Sequence, residues 1–119
     1  MSTRDIADDL VTMWKAGQFH ESGVKYWAED VVSVEAMEGP MRTVTGKTAV
    51  NGKSEWWANA HEVHGAEVEG PYVNGDQFVI RLKMDVTVKE SGARRQLDEM
   101  CLYTVKSGKI AEESFFYDS

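Results

Sequence analysis

HGAEVEGPYVNGDQFVIRLKMDVTVKESGARRQLDEMCLYTVKSGKIAEESFFYD, residues 64–118, carries three hairpin signals in succession: Asn74-Gly75, Ser91-Gly92 and Ser107-Gly108. Each lies between runs rich in Val, Ile, Phe, Tyr and Thr. Small residues that tolerate a positive φ, flanked by β-branched and aromatic runs, predict tight turns between strands, so this stretch reads as four consecutive antiparallel strands.

Upstream the periodicity changes. Ser2 or Thr3 caps a first helix in which Ile6, Leu10, Met13 and Trp14 recur at helical spacing, and Gly17 closes it. A second, shorter helix is predicted over Glu21–Ala28, delivering Tyr26 and Trp27 to the core. Val31–Ala36 (VVSVEA) reads as a short strand, and Glu38–Thr45, with Gly39-Pro40, as a loop. Beyond Gly46 a third helix runs to about Ala60. On it Lys47, Lys53 and Glu55 are expected in solvent, while Ala49, Val50, Trp56, Trp57 and Ala60 supply apolar mass. Helices followed by a run of antiparallel strands give an α+β fold in which the helices cover one face of the sheet.

With 119 residues the chain is read as a single domain, residues 1–119, able to bury a core without disulfides or metal. A formal net charge of -7 and the lack of a Lys/Arg cluster speak against nucleic acid or an anionic membrane as partner. A small molecule or a second copy of the chain fits better. Cys101 is the one cysteine, so no internal disulfide forms; on an apolar strand face it is expected to be buried and inert. The first residues lack the apolar core of a signal peptide and no apolar run has the length of a membrane span, which makes the cytoplasm the default location.

Counting across the turns assigns each strand residue to a face, because a slip of one residue reverses every assignment. A two-residue loop at Ser91-Gly92 places Val86 opposite Leu97, Met84 opposite Glu99, Leu82 opposite Cys101 and Ile80 opposite Tyr103. At Asn74-Gly75, Tyr72 opposite Phe78 sets Val68 against Leu82, Ala66 against Met84 and His64 against Val86. On the other face the same register pairs Glu69 with Arg81 and Glu67 with Lys83. The last hairpin turns Ile110, Glu112, Ser114 and Phe116 inward. The apolar face then holds His64, Glu99, Tyr103 and Glu112 among aliphatic neighbours, where a carboxyl is costly to bury without a partner or a task.

The order of helices, the Trp27-Ala28-Glu29-Asp30 step into a short strand, the Gly46-led helix and the closing Ser107-Gly108-Lys109-Ile110 and Phe115-Phe116-Tyr117 segments resemble the SnoaL-like branch of the nuclear transport factor 2-like superfamily, which includes ketosteroid isomerase. That resemblance covers nearly the whole chain. It implies a cystatin-like fold, a curved, mostly antiparallel sheet wrapped around three N-terminal helices to form a cone-shaped pocket, and a homodimer through the outer face of the sheet. It also implies that the isomerase-type general base falls on Glu35. The isomerase oxyanion donors fall near Leu10 and near Met100 or Cys101, which offer no comparable hydrogen bond. The last-strand Asp of a limonene-epoxide-hydrolase-like set falls on Phe115 or Ser114.

Three candidate catalytic residues result. Glu35 is a general base or, alternatively, a rim residue paired with Arg42 or a lysine. Glu99 is an acid or a substrate anchor or, alternatively, a structural hydrogen-bond acceptor. His64 is a proton relay beside it. Trp14, Trp56, Trp57, Met84, Tyr103 and Phe116 are candidates for the wall around a small apolar or aromatic ligand, against the alternative that they are core. His61 and His64 do not make a metal site, since a strand points them to opposite faces and no third ligand has a defined spacing. No nucleophile elbow, phosphate loop or dinucleotide fingerprint is present, and no cofactor is expected. The function these residues suggest is acid/base isomerisation, cyclisation or dehydration, or else ligand binding or dimerisation without catalysis.

Overall fold

Three helices lie against a six-stranded mixed sheet in the computed structural model, which describes residues 1–118. The first helix, α1 (Thr3–Lys15), starts with a reciprocal capping box between Ser2 and Asp5 and buries Ile6, Ala7, Leu10, Val11 and Trp14 along one stripe. Helix α2 (Phe19–Tyr26) begins and ends two residues earlier than its periodicity predicted, because Trp27 has already turned extended to open β1 (Trp27–Val34). The segment read as a loop holds a three-residue strand, β2 (Thr43–Thr45), paired back on β1. Gly46, at φ 96°, then turns the chain into α3 (Lys47–Ala60).

The meander follows as β3 (His61–Asn74), β4 (Gln77–Val88), β5 (Arg94–Lys106) and β6 (Lys109–Phe116). Strand order across the sheet is β2-β1-β6-β5-β4-β3, with β1 parallel to β6 and every other pair antiparallel. The inner face packs Phe78, Ile80 and Val86 against Ile6 and Leu10, all essentially inaccessible to solvent. Burial of side chains of this size contributes about 1.5–3 kcal/mol each.

Register departs from the simple count at each hairpin, with unequal consequences. Between β4 and β5 the connection is longer than two residues, closed by Val88 N–H to the Ala93 carbonyl and Gly92 N–H to the Val88 carbonyl. Met84 therefore faces Leu97, Leu82 faces Glu99 and Ile80 faces Cys101. The slip is two residues, an even number, so every residue keeps its face.

Between β3 and β4 the expected pairs Val68–Leu82, Ala66–Met84, Glu67–Lys83 and Glu69–Arg81 are present. Bulges interrupt the ladder between Glu69 and Tyr72 and between Val63 and Gly65. The second leaves His64 as the extra residue, so it does not face Val86.

At the last hairpin Ser107 and Gly108, both at positive φ, make the turn as expected, with Val105 opposite Ile110. One residue later a bulge inserts Ala111, and Thr104 faces Glu112, Tyr103 faces Glu113 and Cys101 faces Phe115. Ile110 is inward as predicted, but Glu113 and Phe115 replace Glu112, Ser114 and Phe116 as the inward set.

Candidate functional site

The inner face of the sheet carries a connected set of polar side chains where β1, β5 and β6 meet α3. Alternation along β1 turns Ser33 inward, fully buried, and Glu35 follows just past the strand end, its N–H bonded to the Arg42 carbonyl at 2.7 Å. Alternation along β5 brings Glu99, Cys101 and Tyr103 to the same side, and the β6 bulge adds Glu113 and Phe115. Tyr117 arrives from the segment after β6. On α3, Lys53 shares a face with Val50 and Trp57 and is held inward with 15% of its side chain exposed. The expectation that Lys53 is solvated is corrected by this placement.

These groups are joined atom to atom. Lys53 Nζ lies 2.6 Å from Glu35 Oε1 and 2.9 Å from Ser33 Oγ. Ser33 donates to Glu113 Oε2 at 2.7 Å, and Trp27 Nε1 donates to Glu113 Oε1 at 2.8 Å. Tyr117 donates its hydroxyl hydrogen to Glu35 Oε2 at 2.8 Å. Glu99 Oε1 accepts a weaker bond from the Cys101 thiol, 3.6 Å away. The Phe115 ring lies beneath the ammonium, 5.4 Å from its centroid to Nζ, within cation–π range.

Three carboxyl groups thus surround one lysine. Burial, and then the neighbouring Glu35 charge, pushes Glu99 from an ordinary 4.5 up to about 7, with Cys101 and Lys53 pulling the other way. Burial also raises Glu113, against the opposing pull of its bonds from Ser33 and Trp27. Tyr117 is pushed up to about 12, by burial first and by its bond to Glu35 second. Tyr103 and Cys101 are held well above their ordinary values, again chiefly by burial, so both stay neutral.

A groove of about 450 Å³, lined by Ala36, Arg81, Glu99, Met100, Phe116 and Tyr117 among others, opens past the end of β6. Glu99 and the tyrosine that holds Glu35 both border it. Arg81, at its outer rim, is already tied to Asp98 through two hydrogen bonds of 2.8 and 3.1 Å.

The sequence candidates sort themselves against this geometry. Glu35 and Glu99 are brought into electrostatic reach of one another. His64 is not: displaced by the β3 bulge, it is exposed and its Nε2 is 2.7 Å from the Thr87 hydroxyl. Trp14, Met84 and Tyr103 are buried in the core, Trp14 bonded to Ser22 Oγ and Tyr103 stacked on Phe78. Trp56 is 67% exposed and so lines no interior wall, whereas Trp57 is half-buried and stacked on His61. Phe116 is 54% exposed and reaches the groove from the outer side instead of the interior.

Ser33, Lys53 and Glu113 complete the network without having been singled out, and Trp27 and Tyr117, read from the sequence as aromatic mass for a core or pocket, enter it through their polar atoms. Two had a signal: Ser33 precedes Glu35 by one strand period, and Lys53 has the 3,4 spacing to Val50 and Trp57 of an inward helix position. Glu113 had none, since the bulge that turns it inward leaves no mark in the alternation.

A family model described as SnoaL-like domain matches residues 1–117. Among solved structures, a Mesorhizobium loti protein whose name proposes a SnoaL-like polyketide cyclase is similar at 54% identity with a TM-score of 0.94, over 98% of this chain and 100% of that one. A Xanthomonas campestris protein with a cystatin-like fold shares 19% identity at a TM-score of 0.80, over 100% and 92% of the two chains. An NTF2-like protein of Burkholderia xenovorans shares 18% identity at 0.78, over 98% and 88%. The last two likenesses concern the fold alone. No curated protein matches the chain significantly. No helix is long and apolar enough to cross a membrane among the described residues.

Proposed function

Because the chain belongs to the SnoaL-like domain family, and because Glu99 borders the groove within electrostatic reach of the Lys53–Glu35 ion pair, we propose that it binds a small apolar or aromatic molecule and performs acid/base chemistry on it, such as isomerisation, cyclisation or dehydration. Glu35, held in an ion pair by Lys53, is the base. Glu99, neutral through much of the range below pH 7, is the proton donor. The observation that carries this reading is Glu99 itself, a half-buried carboxyl that borders the groove and is raised further by the Glu35 charge.

The substrate enters through the groove past β6, with a carbonyl or hydroxyl oxygen toward Glu99 and the acidic C–H toward Glu35. Transfer of that proton to Glu35 and donation from Glu99 leaves a neutral enol. In a conjugated enol, return of the Glu35 proton to the remote carbon, with the enol O–H proton going back to Glu99, completes an isomerisation; in a ring closure the enol carbon attacks a second carbonyl, whose oxygen takes the proton held by Glu35 as the enol O–H proton returns to Glu99. The protein acts as a homodimer through the outer sheet face, where exposed Tyr72 lies beside Val79 and Leu102.

Exchange of α-hydrogens for deuterium in a panel of enolisable aromatic ketones, followed by NMR, tests the reading. Exchange by the wild type that Glu35→Gln abolishes supports it; exchange at the buffer rate by the wild type counts against it.

One observation favours a second reading, a ligand-binding or dimerisation module without catalysis: both oxygens of Glu35 are already engaged, by Lys53 and Tyr117. Native mass spectrometry of the purified protein separates the two, since an unconverted apolar ligand retained in stoichiometric amount supports the binder.

A further inference from the structure

We propose that Lys53 is the positioning residue that gives the two glutamates different roles, by pairing with Glu35 and leaving Glu99 to the Cys101 thiol. This assignment rests on the acid/base reading and names what divides the two roles.

Two carboxyls within electrostatic reach do not both ionise at low cost, and the nearest cation decides which keeps the proton. Lys53 Nζ is 2.6 Å from Glu35, whereas Glu99 has the Cys101 thiol as its hydrogen-bond partner. The ammonium is also fixed from behind. Ser33 Oγ accepts from it and passes its own hydrogen to Glu113, whose second oxygen is taken by Trp27. These contacts hold Nζ on Glu35, and the Phe115 ring below it favours the same place.

Among the described residues the other nearby cation, Arg42, is bound to Glu35 through its backbone carbonyl alone and turns its guanidinium to Glu38. The loop after β1 contributes Glu35, β5 contributes Glu99, Cys101 and Tyr103, β6 contributes Glu113, and the C-terminal segment contributes Tyr117. From α2, His20 turns to Ser54 at 2.8 Å and to Glu55 at 4.0 Å on α3. Arg81 sits across the groove mouth, neutralised by Asp98.

The test is a pH titration of the side-chain carboxyl carbons in protein carrying ¹³C-labelled glutamate, with Glu35→Gln and Glu99→Gln spectra to assign the two signals. In the wild type the Glu99 carbon moves through about pH 7. In Lys53→Met, which loses the ammonium that draws Glu99 down, that midpoint rises, and Lys53→Arg restores the wild-type value. Lys53→Met that is folded by circular dichroism and leaves the Glu99 midpoint unmoved overturns the proposal. Should Lys53→Met fail to fold, Lys53→Gln, which keeps a hydrogen-bond donor without the charge, is read in the same way, and an unmoved Glu99 midpoint overturns the proposal equally. Turnover is not needed. A protein without exchange activity but with the predicted titrations supports the role of Lys53 while counting against the catalytic reading.

Discussion

Tyr117 donates its hydroxyl hydrogen to Oε2 of Glu35 across 2.8 Å, joining the segment that follows β6 to the segment that follows β1. The bond ties the candidate base to the wall of the groove that Glu99 also borders. With Lys53 on Oε1, it leaves Glu35 oriented by two donors and free to receive a proton only on the lone pairs they do not use.

Substitution of either carboxyl tests their chemical roles. Glu35→Gln and Glu99→Gln are each expected to reduce α-hydrogen exchange by about a hundredfold, the usual scale for a positioned acid or base. Tyr117→Phe, which removes one donor and keeps the ring, should cost less and change kcat more than KM. Rate measurements across pH add a sign. If Glu99 must be protonated, exchange falls as pH rises through about 7, and Glu99→Gln, already slow, shows no such fall.

Stability should carry the same signature. Glu99 has a higher pKa folded than unfolded, so the folded state binds more proton between about 4.5 and 7. Its contribution is therefore present at low pH, is lost as pH rises across that window, and stays absent above it. Glu99→Gln is expected to flatten that slope and to be more stable than the wild type at pH 8, by about 3 kcal/mol at most. Urea denaturation of both proteins at pH 5 and pH 8 measures it.

Gly23 fixes the far end of the network. A Cβ there would lie inside van der Waals contact with the Trp27 ring, which packs back on the α2 backbone and aims Nε1 at Glu113. Gly23→Ala is expected to displace the indole and destabilise the fold by about 1–3 kcal/mol. Denaturation gives the cost, and a changed Trp emission spectrum shows that the ring has moved.

The outer face makes a separate prediction. Tyr72, Val79 and Leu102 are neighbours across β3, β4 and β5, and Tyr72 is 61% exposed. Sedimentation is expected to find a dimer, and Tyr72→Glu a monomer with the same secondary structure; a monomeric wild type contradicts the proposed contact.

What the sequence made legible follows from what sets each feature. Turn dipeptides and apolar alternation are local, so four strands, three helices and the α+β class could be read directly. Glu99 could be placed inward because the β4–β5 slip was even, which preserves faces whatever the loop length. His64 and Glu112 were misplaced for the opposite reason: a bulge adds one residue, reverses every later side chain on that strand, and is set by tertiary fit rather than by a local signal. Lys53 was read as solvated because charge outweighed position; its spacing to Val50 and Trp57 was the better guide. Tyr117 and Glu113 depend on β1 lying parallel beside β6, a pairing across most of the chain that no short motif records.

The central claim is that Glu35 and Glu99 share one site and one proton. Its most direct test is the titration midpoint of the Glu99 carboxyl carbon in the wild type and in Glu35→Gln. The account predicts a midpoint of about 7 in the wild type and a lower one in Glu35→Gln, where the neighbouring negative charge is gone. A Glu99 midpoint near the ordinary 4.5 that Glu35→Gln does not move would contradict it.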